Sequence, residues 1–270
     1  MNGEPSTVAP RCRRALRLWL FPFTVHCSLF TGCAVTPLTS RIAVGEDPFV
    51  VGVGEGSDSM TDLFAAPAGG GAFIRLTFTR AEERLPRLSP EGTRVAFVRR
   101  EGTREAARWS LVIQDLRTTV ERTALLPESG TVITRIGWSP DGKRAVVAAG
   151  ERGYFALSAE ARGSDSLVPV APGAVATADS ITRELLGNPA AAMVRECGGG
   201  LCIVAASGDT SALEAGATDA IRWGADSVAY FTTRGFAVRP LAGGSSRWPD
   251  WKDKPSRLRN LTHHPGTSSR

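Results

Sequence analysis

The side chains most able to do chemistry in this chain are few, and their spacing limits what they can do. Three histidines occur in 270 residues. His26 sits in an apolar N-terminal stretch, while His263 and His264 stand beside Pro265 and Gly266 with no further ligand at metal-binding spacing, which reads as a solvated tail. A Ser-His-Asp triad would have to recruit that tail, and no Gly-x-Ser-x-Gly elbow is present, which disfavours a serine hydrolase. Gly52, Gly54 and Gly56 begin like a phosphate-binding loop but lack its spacing, and no helical pattern follows to aim an N-terminus at an anion, so a flexible turn is expected. Glu55, Asp58 and Asp62 carry oxygens that suit calcium, without the regular Asp-x-Asp-x-Asp-Gly loop. Glu91, Asp141 and Asp226 recur at one repeat phase, the mark of turn chemistry, whereas carboxylate catalysis needs a non-repeating pair across one cleft. No catalytic, cofactor-binding or metal-ligating residue is expected, and no cofactor.

The cysteines and tryptophans say more. Cys12 and Cys27 fall in the N-terminal segment and Cys33 directly after it, leaving Cys197 and Cys202 around Gly198, Gly199, Gly200 and Leu201. Three glycines supply the positive φ of a tight hairpin that brings the two Cβ atoms within bridging distance, so a disulfide is expected there. Two free thiols in a reducing compartment is the alternative, and it stands or falls with export. Trp138 and Trp223 share one repeat phase and are expected to pack between repeated units. Trp248 and Trp251, in a loop flanked by Arg247 and Lys252, are the candidate partner-binding pair, with covering of the last unit as the alternative.

The N-terminus has the grammar of an export signal: Arg11, Arg13, Arg14 and Arg17, then the apolar run Leu18 to Gly32, too short and too interrupted by Pro22 and His26 for a membrane span. Thr31, Gly32 and Cys33 resemble a bacterial lipobox, which implies cleavage after residue 32 and a lipid on Cys33; an ordinary secretory signal cut elsewhere, or an uncleaved anchor, is the alternative. Ala34 follows the cysteine where Asp is absent, which by resemblance to diderm lipoproteins implies the periplasm and the outer membrane. Net charge is +5, but residues 1–32 hold +3 of it. The remainder is nearly neutral and carries no basic run long enough to follow a phosphate backbone, so nucleic acid is not an expected partner.

The elements that must position these residues repeat. With Ser89 set on Ser139, Leu88 to Val98 aligns without gaps with Trp138 to Ala148, sharing Ser-Pro-acid-Gly, and Ile221 to Phe231 is a worn third copy. Gly187 to Val194 and Asp47 to Val53 occupy the remaining slots, giving five units over residues 48–262, after a tether and first strand over 33–47 and before a tail at 263–270. Each unit is a turn followed by a meander of β-branched and aromatic strands, exemplified by Ser110 to Asp115, Arg122 to Leu126, Ala72 to Thr77 and Gly235 to Arg239. Helical periodicity is nearly absent; Ala178 to Leu186 reads as a loop or single turn. Repeated meanders at this spacing predict an all-β, β-propeller fold rather than a sandwich.

Trp138-Ser-Pro-Asp-Gly142 with its following strand, and the Leu-Thr pairs at Leu76-Thr77 and Leu261-Thr262, resemble the WD40-like repeat of TolB-type six-bladed propellers. The resemblance implies five to six four-stranded blades, with an unrecognised blade, closure by strands near Arg41 to Val44, or a truncated chain accounting for a sixth. It also implies action through partners: an envelope protein or peptide, with the membrane reached through the lipid anchor. A propeller enzyme with a hydrolase or lyase site in its central channel is the alternative from another class, and a fragment without its own activity is a third.

Overall fold

A computed structural model of the chain describes residues 38–102, 107–126, 133, 135–150, 153–160, 166–170, 192–198, 200–205, 207–224 and 226–267. The N-terminal segment read as an export signal, Cys33 and the stretch Ala178 to Leu186 lie outside them. The fold is all-β, built of meander sheets set propeller-fashion. Sheet I joins β1 (Phe49–Glu55), β2 (Thr61–Pro67) and β4 (Ile74–Arg75) to β20 (Ser256–His264), in the order β20-β1-β2-β4. Sheet II is β5 (Glu82–Leu88), β6 (Arg94–Glu101), β7 (Arg108–Asp115) and β8 (Glu121–Leu125). Sheet III is β9 (Arg135–Trp138), β10 (Arg144–Ala148), β11 (Tyr154–Ser158) and β12 (Val168–Val170). Among the described residues, sheet IV holds β13 (Ala192–Cys197), β14 (Gly200–Ala205) and β15 (Thr210–Ala212), and sheet V holds β16 (Thr218–Trp223), β17 (Ser227–Thr232) and β18 (Gly235–Pro240). A parallel ribbon pairs β19 (Asp250–Lys252) with β3 (Gly70–Ala72).

Alternation along each strand explains why these strands read as continuous apolar runs. Successive side chains point to opposite faces, so a strand sandwiched between two neighbours needs apolar residues at every position. Val51 and Val53 of β1 pack with Val95, Phe97 and Val112 of sheet II, while Val50, next to Val51, packs with Ile221, Trp223 and Phe236 of sheet V. On β6, Ala96 and Val98 turn the other way, onto Trp138, Ala145 and Leu157 of sheet III. On β17, Ala229 faces sheet I while Val228 and Tyr230 face sheet IV with Val194 and Ile203. Four apolar layers thus set the sheets in the order III, II, I, V, IV. Each fully buried Val, Leu or Phe in them contributes about 1.5–3 kcal/mol.

The Ser-Pro-acid-Gly turns do local and long-range work together. In Ser139 to Arg144 the Ser139 hydroxyl donates to Asp141 (2.6 Å) and accepts from the Arg144 amide (3.0 Å), and the Gly142 amide closes the turn on the Ser139 carbonyl (2.9 Å). The Ser139 bond, then the Lys143 amide, hold the Asp141 carboxyl below its ordinary range. The equivalent glycine in sheet II, Gly92 (φ +69), lies under the imidazole of His264, and a Cβ there would come within 2.5 Å of that ring. Gly142 (φ +66) lies in the same way against the Glu91 carboxylate of the preceding turn.

Three expectations change at this level. His263 and His264 are the last residues of β20, paired with Val50 and Phe49, and His264 is 1 % exposed; they are strand, not tail, because closing sheet I needs a fourth strand. No strand forms near Arg41 to Val44: a 3-10 turn at Leu38–Ser40 and successive turns carry Leu38, Ile42 and Val44 into the layer between sheets I and II. Gly52 and Gly54 lie within β1 rather than in a turn. A Cβ at either would sit 2.5 Å from Leu261 or Pro255 of the adjoining chain, so glycine is required for the close approach of β20.

Candidate functional site

The first strands of the meanders, β5, β9, β16 and β20, lie edge against edge where the sheets converge. The backbones of β5, β16 and β20 are irregular in a shared way. The β5–β6 register shifts between Arg84 and Arg87 with Leu85 at φ 55, β16–β17 shifts between Thr218 and Ile221 with Asp219 at φ 50, and β1–β20 shifts twice with Arg257 and Asn260 at φ 49 and 50. These are bulges whose extra residue is held left-handed without being glycine. Each such residue costs of order 1 kcal/mol or more, and bulges re-aim the side chains beside them.

These inner strands carry six arginines: Arg84 and Arg87 on β5, Arg135 on β9, Arg222 on β16, Arg257 and Arg259 on β20. Arg84 rests on Glu82 and Arg257 on Glu55 (2.8 Å). The backbone at Arg87 is pinned from both neighbouring sheets, since the Trp138 indole donates to its carbonyl (2.9 Å) and the next amide, Leu88, donates to the Thr262 hydroxyl of β20 (3.2 Å). The Arg87 guanidinium donates to the Pro86 carbonyl (2.8 Å), its Nε is sealed from solvent without a partner, and burial lowers its pKa.

A second polar assembly lies between sheets I and II. Asp62 and Glu83 are both fully buried and share the Thr77 hydroxyl, which also accepts the Leu63 amide (2.9 Å). Arg75 pairs with Asp62 and Asp58, and Arg99 joins Glu83 (2.9 Å) to Glu121 (2.6 Å). Burial raises the Glu83 pKa, with Thr77 and Arg99 pulling against it and Asp62 adding to it. Burial alone would weaken the Arg99 charge, but its bonds to Glu121 and Glu83 overcome this and hold it ionised. This is a non-repeating carboxylate pair, the kind that paired-carboxylate chemistry requires. Both members are closed to substrate and already neutralised by arginine, so the pair ties two sheets together. A cleft of about 490 Å³ opens on the far side of sheet II, lined by Arg94, Asp115, Thr118, Val120, Glu121 and Arg122.

The residues singled out from sequence take the following places. Cys197 and Cys202 form a disulfide, Cα atoms 6.0 Å apart, diagonal across a hairpin in which Cys197 pairs with Gly200 and Cys202 with Arg195. Glu55, Asp58 and Asp62 turn to arginines rather than to one another, and no metal-binding cluster exists among the described residues. Trp138 and Trp223 are buried between sheets. His263 stacks on Trp223 (centroids 4.0 Å apart, 8° between planes), and burial, then His264 and Arg247, push its pKa down to about 3. The Trp248–Trp251 pair divides. Trp251 stacks on Phe236 (4.6 Å), meets Phe73 edge-on (5.2 Å) and donates to the Pro67 carbonyl (2.9 Å), covering the seam between sheets V and I, whereas Trp248 is 40 % exposed. Sequence reasoning missed the inner-edge arginines and the Asp62–Glu83 assembly; the available signal was the recurrence of an arginine within four residues before a turn, at Arg87, Arg135 and Arg222.

No protein-family model matches this chain, and no curated protein sequence matches it. Among solved structures it is similar to TolB from Acinetobacter baumannii, at 13 % identity and TM-score 0.39, covering 80 % of this chain and 66 % of that one. It is also similar to a TolB-type protein from Agrobacterium tumefaciens at 13 % identity and TM-score 0.34, with 81 % and 74 % covered. A third similarity is to the tricorn protease at 13 % identity and TM-score 0.35, with 74 % of this chain and 22 % of that chain covered. The chain therefore spans about two thirds of the first and less than a quarter of the last. At this identity the likeness is one of fold.

Proposed function

We propose that this chain is an exported, lipid-anchored propeller that binds a protein or peptide of the cell envelope and acts as a scaffold rather than as a catalyst. The observation that carries the binding reading is Trp248, exposed on a segment that cannot move freely. On one side Arg247 exchanges two backbone hydrogen bonds with Val238 (2.9 and 2.8 Å) and the Tyr230 hydroxyl meets that of Ser246 (2.8 Å). On the other, Trp251 is wedged between Phe73 and Phe236. An exposed indole on a fixed backbone gives up little conformational freedom on binding, and tryptophan with arginine is the composition of interface anchors. The exposed Arg247 and Lys252 favour an acidic partner.

The address is supported by the basic-then-apolar leader, by Thr31-Gly32-Cys33, and by a disulfide, a bond that is common in oxidising compartments and rare in the cytosol. A photo-reactive residue placed at 248 in cells making the full chain should give one discrete cross-linked adduct, with none from the same residue at the exposed Val120. No adduct, or equal adducts at both positions, would overturn the binding surface. Intact mass of the membrane fraction should show a chain beginning at Cys33 with added acyl mass; a full-length soluble product would overturn the anchor.

A further inference from the structure

We propose that the inner edges of sheets I and II form an oxyanion site, with Arg87 as its principal cation and Arg259 as the second, that takes a carboxylate presented by an acidic peptide. Most arginines of these two sheets have an acidic partner. Arg75, Arg84, Arg94, Arg99 and Arg100 each rest on an Asp or Glu. Arg87 does not: its Nη1 reaches only the carbonyl of its own neighbour, its Nε is sealed and unpaired, and no carboxylate meets it among the described residues. A guanidinium drawn out of water without a counter-charge is costly, and an anion arriving there recovers that cost.

The surroundings fit a ligand site rather than a packing accident. The backbone at Arg87 is held from sheet III by the Trp138 indole and from sheet I through the Thr262 hydroxyl, so the guanidinium starts from a fixed base. It stands beside the Leu85 bulge, a strained conformation for a bulky side chain. Protein crowds the guanidinium enough to lower its pKa, yet the residue is only half-buried, the combination expected of a side chain lining a narrow opening. On the adjoining inner strand, Arg259 is half-buried beside the Asn260 bulge and has no carboxylate partner among the described residues. The guanidinium fork matches the two oxygens of a carboxylate or phosphate. Choosing a peptide carboxylate rests on the binding function proposed above; the oxyanion site itself does not.

Titration calorimetry of the full chain at constant ionic strength, with tetraglutamate and separately with inorganic phosphate, tests this. Saturable tetraglutamate binding, weakened at least about tenfold by Arg87→Gln and largely kept by Arg87→Lys, is expected, a tenfold loss being about 1.4 kcal/mol. Should Arg87→Gln fail to fold, Arg259→Gln provides the same comparison with a smaller loss. Arg87-dependent binding of phosphate but not of tetraglutamate would overturn the carboxylate assignment. Absence of binding by either, or binding unchanged in both variants, would overturn the site. If tetraglutamate binds as expected and the cross-link at position 248 fails, the surface at Trp248 is overturned and the anion site stands.

Discussion

Asp62 and Glu83 have no exposed surface, and each has an arginine, the Thr77 hydroxyl and Thr79 as its partners. Removing Arg99 leaves Glu83 buried beside Asp62 without its cation, so Arg99→Met is expected to cost about 3–5 kcal/mol, measured by chemical denaturation. The double variant Arg99→Met, Glu83→Met should recover much of that loss; a double variant as unstable as the single one would show that the pair is not coupled. His263 argues from pH. Its folded pKa of about 3 lies far below the unfolded value near 6.5, so between those limits the unfolded chain takes up a proton that the folded chain refuses. Its neutrality therefore costs stability as pH falls below 6.5, at up to about 1.4 kcal/mol per unit. His263→Phe, which keeps the ring on Trp223, should flatten the decline of the unfolding midpoint between pH 6.5 and 4. An unchanged slope would place the acid sensitivity elsewhere.

At the scale of elements, the turn that names the repeat is also where one sheet rests on the next. Gly92→Ala must adopt φ +69 and drive a methyl into the His264 ring, and is expected to destabilise by about 2–4 kcal/mol. Gly153 has φ +88 and open space where its Cβ would lie, so Gly153→Ala should cost only the backbone strain, about 1 kcal/mol. Equal losses in the two variants, read from urea midpoints, would remove the contact with His264 from the account. The turn itself was legible in the sequence because Ser, Pro, acid and Gly act on their own neighbours. The inner-edge bulges were not: Leu85 and Arg257 are not residues that favour a left-handed backbone, and Asp219 and Asn260, although of types enriched there, stand within strand-like segments. They are held there by pairing to strands on one side and abutting sheets on the other.

At the scale of the molecule, the strand that completes sheet I arrives from the far end of the chain, with Phe49 opposite His264 and Val53 opposite Arg259. Leu261 of that strand lies in the layer shared with sheet V, and Thr262 reaches sheet II, so β20 joins three sheets at once. A chain ending at Lys254 is expected to lose its single cooperative unfolding transition and to expose the amides of β1 to rapid hydrogen exchange, while β6 and β7, paired within sheet II, exchange more slowly. Retention of one sharp transition by the shortened chain would show that closure by β20 is dispensable. The same geometry accounts for Gly52 and Gly54, which make room for Leu261 and Pro255.

The strands that follow the Ser-Pro-acid-Gly turns, the turn chemistry and the repeat were present in the order of residues, because each follows from steric preference and from apolar runs acting over a few neighbours; Ala72 to Thr77, read as one strand, is divided between β3 and β4. The burial of Trp138 and Trp223 followed from their repeat phase for the same reason. What the tertiary structure alone decided is everything that joins residues far apart in the chain. Asp62 finds Thr77 across 15 positions and Arg99 finds Glu121 across 22, the histidine pair becomes a closing strand rather than a tail, and Trp251 is drawn into a seam that leaves Trp248 outside. A side chain's partner across a sheet interface is set by how two whole sheets meet, and no local preference of the chain encodes that meeting.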